Sequence, residues 1–199
     1  MKSRVELRVS GGFCLLLALL LFFDEQNIVP WALFACLLHE LGHCAAIHFF
    51  GGRVASLRLS VVGAEMVPER SRLFSYREEL FIAAAGPVLS IGVAILAALV
   101  ARYGLVGAEQ MYLFAGLNLA AGVFNLLPLG PLDGGRILRV FLLRANRLWE
   151  VERFYQRMTL VLSLGLLWLG VLQLWHFGGN PTLFLSGLWL LSTAKSGND

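Results

Sequence analysis

Long apolar blocks, separated by short polar stretches, dominate this sequence of 199 residues. Hydrophobic residues make up 58% of the chain and charged residues only 15%, whereas about a quarter of a typical soluble domain is charged. A helix needs about 20 apolar residues to cross a bilayer, and several blocks approach that length. We therefore predict an all-α polytopic membrane protein with about six transmembrane helices, at residues 9–23, 30–50, 80–100, 111–127, 158–175 and 181–193.

The first block is also similar to a secretory signal peptide, because Lys2, Arg4 and Arg8 precede it. It ends, however, in large residues followed by Asp24 and Glu25, without the small residues of a cleavage site. We interpret this block as a retained first span.

The basic residues indicate how the blocks are oriented. If the blocks alternate from a cytoplasmic N-terminus, every Lys and Arg except Arg102 lies on the cytoplasmic side. The positive-inside rule then places both termini in the cytoplasm, in an integral multi-pass protein surrounded by the lipid bilayer. The formal net charge is +3, but the basic residues form no stripe interleaved with aromatic residues, which argues against a nucleic-acid partner.

Two segments differ from the apolar blocks. Residues 52–68 alternate in part between apolar and polar side chains, which predicts a short β-hairpin at the cytoplasmic membrane face, with its turn near Gly63. An irregular loop is the alternative. Residues 136–157 carry six arginines among apolar residues, a pattern typical of an amphipathic helix on the anionic cytoplasmic leaflet.

The second block contains the run His39-Glu40-Leu41-Gly42-His43. On a helix, residues i and i+4 share one face, so the two imidazoles can bind one Zn²⁺. Glu40, next to the first imidazole, can act as a general base on a water activated by the metal. Ionisable side chains inside a membrane span are costly and usually functional. His48 lies about 140° around the helix from His43, and we predict an interfacial residue there.

A catalytic zinc generally has three protein ligands and one open position, so a third ligand must come from elsewhere. Asp133 is the candidate, because the fourth block ends near it on the same side of the membrane as the end of the second block. Pro128, Pro131, Gly134 and Gly135 would break the helix there and let the backbone present the carboxylate. Taken alone, the segment could equally be a loop with a turn aspartate.

The two motifs together resemble the site-2 protease family of intramembrane zinc metalloproteases, peptidase family M50. HELGH and the later run N-L-L-P-L-G-P-L-D-G-G fit the family pattern, and the resemblance covers about residues 30–140. It implies that His39, His43 and Asp133 bind one Zn²⁺ per chain and that Glu40 activates water. It also implies that Asn125 lies near the site, where it helps to position substrate or to polarise its carbonyl.

A third motif of the family is matched only in part. Ala85-Gly86-Pro87 resembles its G-P motif, which often ends in Asn, and Ser90 stands in that place here. We assign Ser90 no role from the sequence.

The outer architecture resembles the branch of the stage IV sporulation protein FB, without the CBS domain that its members often carry. We therefore expect a single intramembrane metalloprotease domain at 1–199, with a core at 30–140, an extra N-terminal span at 9–23 and two C-terminal spans at 158–193. The resemblance implies a bacterial cell membrane.

The predicted function is zinc-dependent cleavage of a membrane-spanning or membrane-tethered protein near the cytoplasmic face, as in regulated intramembrane proteolysis. A regulatory membrane partner is compatible with it. The first alternative is a catalytically inactive membrane binding protein of the same fold. The second is a metal transporter, which would place polar residues along several spans, whereas here they concentrate around HELGH and Asp133.

Overall fold

The computed structural model describes residues 6–60, 63–68, 73–104, 107–129, 132–144, 148–177 and 181–195. Within them the chain forms three strands and seven helices. In chain order the elements are β1 (Glu6–Val9), α1 (Gly11–Phe22), α2 (Ile28–Phe49), β2 (Val54–Ser60), β3 (Gly63–Pro68), α3 (Tyr76–Arg102), α4 (Ala108–Asn125), α5 (Asp133–Arg144), α6 (Leu148–Phe177) and α7 (Thr182–Lys195).

The apolar blocks fold as helices, and three of the described helices are long and apolar enough to cross a membrane. They are α2, α3 and the stretch Gln156–Trp175 within α6. Two shorter apolar helices are Gly11–Phe22 and Thr182–Ser192. A mostly helical membrane protein is therefore confirmed, whereas the number of six spans is not. Large apolar side chains such as Val88, Leu96 and Trp168 are more than half exposed, as expected of a surface that faces lipid.

The predicted hairpin is present, and it belongs to a sheet of three strands. β2 and β3 pair antiparallel, with Ser60 opposite Gly63, and the predicted turn at 61–62 lies outside the described residues. β1 adds a parallel strand on the other side of β2, with Val9 opposite Leu59. β1 was not predicted from the sequence. Its pairing with β2 shows that the residues before the first apolar helix are part of the fold.

The chain divides into two compact units, Met1–Asn125 and Leu126–Asp199. The first unit is built on α2, α3 and α4, which pack through small residues. A Cβ on Gly42 would lie 2.7 Å from the carbonyl oxygen of Ala85, so the backbones of α2 and α3 approach closely there. Small residues at helix contacts are the usual means of tight packing in membranes. One end of this bundle is apolar, with Ala35, Ala97 and Phe114 buried together.

Local capping fixes where α2 and α3 begin. The Asp24 carboxylate accepts hydrogen bonds from the backbone N–H groups of Ile28 and Val29, both at 2.8 Å. Ser75 and Glu78 form a reciprocal capping box at the start of α3. Such caps satisfy N–H groups that the helix leaves without partners and stabilise it by about 1 kcal/mol each.

The second unit contains α5, α6 and α7. The predicted amphipathic helix at 136–157 coincides with α5, which ends at Arg144, and with the first turns of α6, which begins at Leu148. Residues 145–147 lie outside the described residues. α6 and α7 then pack closely, since a Cβ on Gly170 would lie 2.5 Å from the backbone nitrogen of Phe184.

Candidate metal centre

The two histidines of HELGH lie one turn apart on α2, with their rings turned to each other. His39 is 5% exposed and His43 is 6% exposed. Their Nε2 atoms are 3.3 Å apart, and the ring planes meet at 79°. Two imidazole nitrogens this close, in a buried position, can be shared by one metal ion, as the spacing predicts.

The other nitrogen of each imidazole is held by α3. Nδ1 of His43 lies 2.7 Å from the backbone carbonyl oxygen of Ile82, and Nδ1 of His39 lies 3.0 Å from Oγ of Ser90. A carbonyl oxygen can only accept a hydrogen bond, so Nδ1 of His43 carries the hydrogen, and Nε2 is the nitrogen of the neutral ring that can bind a metal. Histidines that bind metals commonly donate their second nitrogen in this way, which orients the ring.

Gly86 leaves the space that an ion between the two rings would need. A Cβ at this position would overlap Nε2 of His43 and would lie 2.8 Å from Nε2 of His39. The backbone of α3 therefore faces both ligand atoms directly, and only glycine lacks the atom that would fill the gap. The site fits a metal ion in its donor chemistry and in the room beside the donors.

Pro87, the residue after Gly86, interrupts the backbone hydrogen bonding of α3 next to the two histidines. It has no N–H for the carbonyl of Ala83, so one hydrogen bond of the α3 ladder is missing there. The helix continues through the proline, from Tyr76 to Arg102. Gly86 and Ile82, whose carbonyl bonds to His43, thus lie next to the backbone hydrogen bond that Pro87 removes from α3.

Glu40 follows His39 on α2 and is half-buried. Its side chain leaves the helix about 100° around from that of His39. This position fits a group that assists a water molecule next to the metal without occupying a ligand position itself. The predicted role of Glu40 stays a prediction here.

Asn125 is the last residue of α4. Its side-chain Nδ2 donates a hydrogen bond to the carbonyl oxygen of Ala121 at 3.0 Å, and the residue is half-buried. The amide is thus anchored to its own helix through the nitrogen. Its predicted part in substrate positioning is not tested by these contacts.

Asp133 begins α5, directly after the segment that prolines and glycines were predicted to break. α4 ends at Asn125, and a tight turn follows in which the N–H of Leu129 donates to the carbonyl oxygen of Leu127 at 2.7 Å. A Cβ on Gly134 would overlap the carbonyl oxygen of Leu126, so this position requires glycine. Asp133 itself is 9% exposed. Within the described part of the chain, His39, His43 and Asp133 are side chains whose ligand atoms could hold one metal ion.

Ser90 is the residue at this site that the sequence analysis missed. It is fully buried and contacts His39 across 51 positions of sequence. The available signal was its place three residues after Pro87, where the family often has Asn. A hydroxyl satisfies the same requirement as an amide, namely a hydrogen-bonding side chain that faces α2.

A bundle of apolar helices that buries an H-E-x-x-H pair defines the class of intramembrane metalloproteases. The family model described as Peptidase family M50 matches residues 103–168, and the chain belongs to this family of site-2 proteases. Its likeness to the Site-2 Protease from Methanocaldococcus jannaschii has a TM-score of 0.73 at 24% identity and covers 98% of this chain and 91% of that one. At this identity the likeness shows the fold alone.

Two curated relatives carry the resemblance in sequence. The chain is 32% identical to zinc metalloprotease MJ0392 of M. jannaschii, over 59% of this chain and 36% of that protein. It is 31% identical to the stage IV sporulation protein FB of Bacillus subtilis, over 72% of this chain and 49% of that protein. The chain thus spans half or less of the length of these relatives. Membership in a family of zinc metalloproteases confirms zinc as the predicted cofactor, and His39, His43 and Asp133 could form its site.

Proposed function

We propose that this protein is an intramembrane zinc endopeptidase that cleaves a membrane-spanning or membrane-tethered protein near the cytoplasmic face. The observation that carries the proposal is the pair of buried Nε2 atoms of His39 and His43, 3.3 Å apart. Each ring is oriented by a hydrogen bond with a residue of α3, and Gly86 keeps the space beside both Nε2 atoms open. Such an arrangement inside apolar helices is expensive, and metal binding is the function that accounts for it.

In this proposal His39, His43 and Asp133 are the three protein ligands. Two neutral imidazoles and one carboxylate are a ligand set used by catalytic zinc sites, which keep a fourth position open. A zinc ion bound there supplies a Lewis acid that activates water and polarises a peptide carbonyl. The ligands hold this charge in place, and their burial limits competing contacts with solvent.

Glu40 is proposed to move the proton. Its carboxylate takes a proton from the attacking water and passes it to the nitrogen of the leaving amine, as general base and then general acid. Water and the cleaved bond must both reach Glu40, which its half-buried position on α2 allows. Asn125 is proposed to help position the substrate carbonyl, with its amide nitrogen anchored to Ala121.

A substrate helix must unwind before its carbonyls can react, because helical hydrogen bonds shield them. The sheet offers a place for the unwound segment, since β2 is paired on both sides and β3 lies at the edge. Main-chain hydrogen bonds to an edge strand are a general way to bind an extended peptide. The protein substrate is thus proposed to add to β3.

The finer topology is also part of the proposal. Six spans with both termini in the cytoplasm place nearly all basic residues on the cytoplasmic side, with Arg102 as the exception. We place the protein in a bacterial cell membrane, as a single protease domain over 1–199, in regulated intramembrane proteolysis and open to a regulatory membrane partner. The similarity to a sporulation protein supports this class of process by analogy.

The decisive experiment compares the wild type with Glu40→Gln, purified in detergent. We expect about one zinc per chain in both proteins, and cleavage of a panel of single-span substrates reduced about 10²–10⁴-fold in the variant. Glu109→Gln is the matched control, because Glu109 is an exposed glutamate in the first turn of α4, and it should cleave like the wild type.

Two outcomes contradict the proposal. Equal cleavage by the wild type and Glu40→Gln would remove Glu40 from the chemistry. Zinc binding without cleavage of any substrate, by the wild type as well, would favour a binding protein or a transporter.

A further inference from the structure

The two histidines of the pair have different kinds of partner on α3. His43 bonds to a backbone carbonyl at Ile82, which accepts hydrogen bonds and never donates them. His39 bonds to the hydroxyl of Ser90, which can do either. This difference has a consequence for which nitrogen of each ring carries the hydrogen.

His43 is restricted to one tautomer. Its Nδ1 must carry the hydrogen that bonds to the carbonyl oxygen of Ile82, so Nε2 is the nitrogen of the neutral ring that can offer a lone pair to an ion. This nitrogen lies 3.3 Å from Nε2 of His39, so one ion can reach both atoms.

A metal ion requires the same tautomer of His39. Its Nε2 must offer a lone pair to the ion, so Nδ1 of the neutral ring carries the hydrogen and the Oγ of Ser90, 3.0 Å away, accepts it. Because the serine hydroxyl can rotate, Ser90 can accept this hydrogen bond without a movement of the His39 ring.

Ser90 is well placed for this part because its position is fixed on all sides. It is fully buried, and a Cβ on Gly122 of α4 would lie 3.3 Å from the Cβ of Ser90. α4 thus packs directly behind the serine. The hydroxyl is the part of this side chain that remains free to rotate.

We propose that Ser90 is a positioning residue for His39, which holds the ring in one plane and permits the tautomer that binds zinc. The inference rests on the proposed zinc site and adds a residue to it. Ser90 does not touch the ion or the substrate. It acts through His39, so its loss should weaken metal binding first and leave substrate binding unchanged.

The test measures the zinc affinity of the metal-free protein by competition with a chromogenic chelator. Ser90→Ala removes the hydroxyl and adds no atom, and we expect the affinity for zinc to fall about 10–100-fold. Ser163→Ala is the matched control. Ser163 is equally buried, but its hydroxyl donates to the carbonyl of Thr159 on its own helix, so zinc affinity should not change.

Three further readouts separate positioning from a general loss of structure. With cobalt(II) in place of zinc, Ser90→Ala should shift the visible absorption bands, because a freed His39 ring changes the ligand geometry. Nitrogen-15 spectra of the zinc-loaded wild type should show His39 and His43 each with the hydrogen on Nδ1. At saturating zinc, Ser90→Ala should lower kcat and leave KM unchanged.

The results that would contradict the role of Ser90 differ from those that would contradict the proposed function. A wild type that binds no zinc would overturn the proposed site and this inference with it. A wild type that binds zinc, with Ser90→Ala binding it equally tightly, would overturn the inference alone. An equal loss of affinity in Ser90→Ala and Ser163→Ala would also overturn it, since the effect would then be general.

Discussion

The α2–α4 bundle and the α6–α7 hairpin bury similar polar side chains but connect them differently. In α6 the hydroxyl of Ser163 donates to the carbonyl of Thr159, one turn earlier on the same helix. In the bundle, Ser90 of α3 and His39 of α2 bond to each other between helices. Both regions also bring backbones together at glycines, at Gly42 in one and at Gly170 in the other.

A metal-binding site differs from polar packing in the atoms that its buried side chains can still offer to a ligand. A hydroxyl that donates to a carbonyl of its own helix uses its one hydrogen within that helix. His39 and His43 satisfy one nitrogen each by bonding to α3, and their second nitrogens face each other. The signal for function is thus a buried side chain with a second coordinating atom, rather than polarity alone.

The largest effect should follow from removing a ligand. His43→Ala leaves His39 as the one imidazole of the pair, and we expect the loss of zinc binding and of cleavage, measured by metal analysis and by a substrate panel. His48→Ala is the control on the same helix, because His48 is exposed and should retain both. If His43→Ala retained zinc, the facing imidazoles would not be the zinc site, and the proposed difference between the bundle and the hairpin would be wrong.

Filling the space beside the ligands should have the next largest effect. In Gly86→Ala the new methyl group overlaps Nε2 of His43, so we expect zinc binding to be lost and folding to be destabilised by about 1–3 kcal/mol. Gly92→Ala is the matched control on α3, with nothing within 4 Å of its Cβ. Thermal unfolding in detergent and metal analysis check both. A Gly86→Ala variant that binds zinc normally would contradict the proposed place of the ion.

The smallest of these effects should come from the hairpin. Gly170→Ala places a methyl group 2.5 Å from the backbone of Phe184, so we expect a loss of stability of about 1–3 kcal/mol with the zinc affinity unchanged. Gly165→Ala, on the same helix, has nothing within 4 Å and should not lower the unfolding temperature. A change of zinc affinity in Gly170→Ala would show that the hairpin does not serve packing alone.

The local geometry of the candidate site could be predicted from the sequence alone. HELGH predicts the facing imidazoles because the spacing of i and i+4 is a property of the helix itself. The break before Asp133 was predictable for a similar reason, since Pro128 and Gly134 act on the local backbone. Both predictions depend on neighbours in the chain and on no long-range contact.

The partners of the histidines were not predictable in this way. Ile82 acts through its backbone carbonyl, which every residue has, so its side chain gives no signal. Ser90 reaches His39 only because α2 and α3 approach closely at Gly42. The register between two helices depends on packing over their whole length, so no local sequence pattern predicts it.

The strand β1 was missed for a different reason. Glu6, Leu7, Arg8 and Val9 alternate as a strand does, but four residues are too short a run to separate from the polar flank of a membrane span. The strand exists because β2 offers it a partner. Tertiary context thus decides the structure of these residues.

The helices α1 and α2 differ in length, and the sheet connects them. α1 has 12 residues and is about 18 Å long, whereas α2 has 22 residues and is about 33 Å long. The Ser10 N–H, at the start of α1, bonds to the carbonyl of Leu59 at 2.9 Å. β2 leads there from the end of α2 and, with seven residues, spans about 20 Å. The start of α1 is therefore tied by a main-chain hydrogen bond to the strand that follows α2, so the two helices are connected at the sheet as well as through residues 23–27.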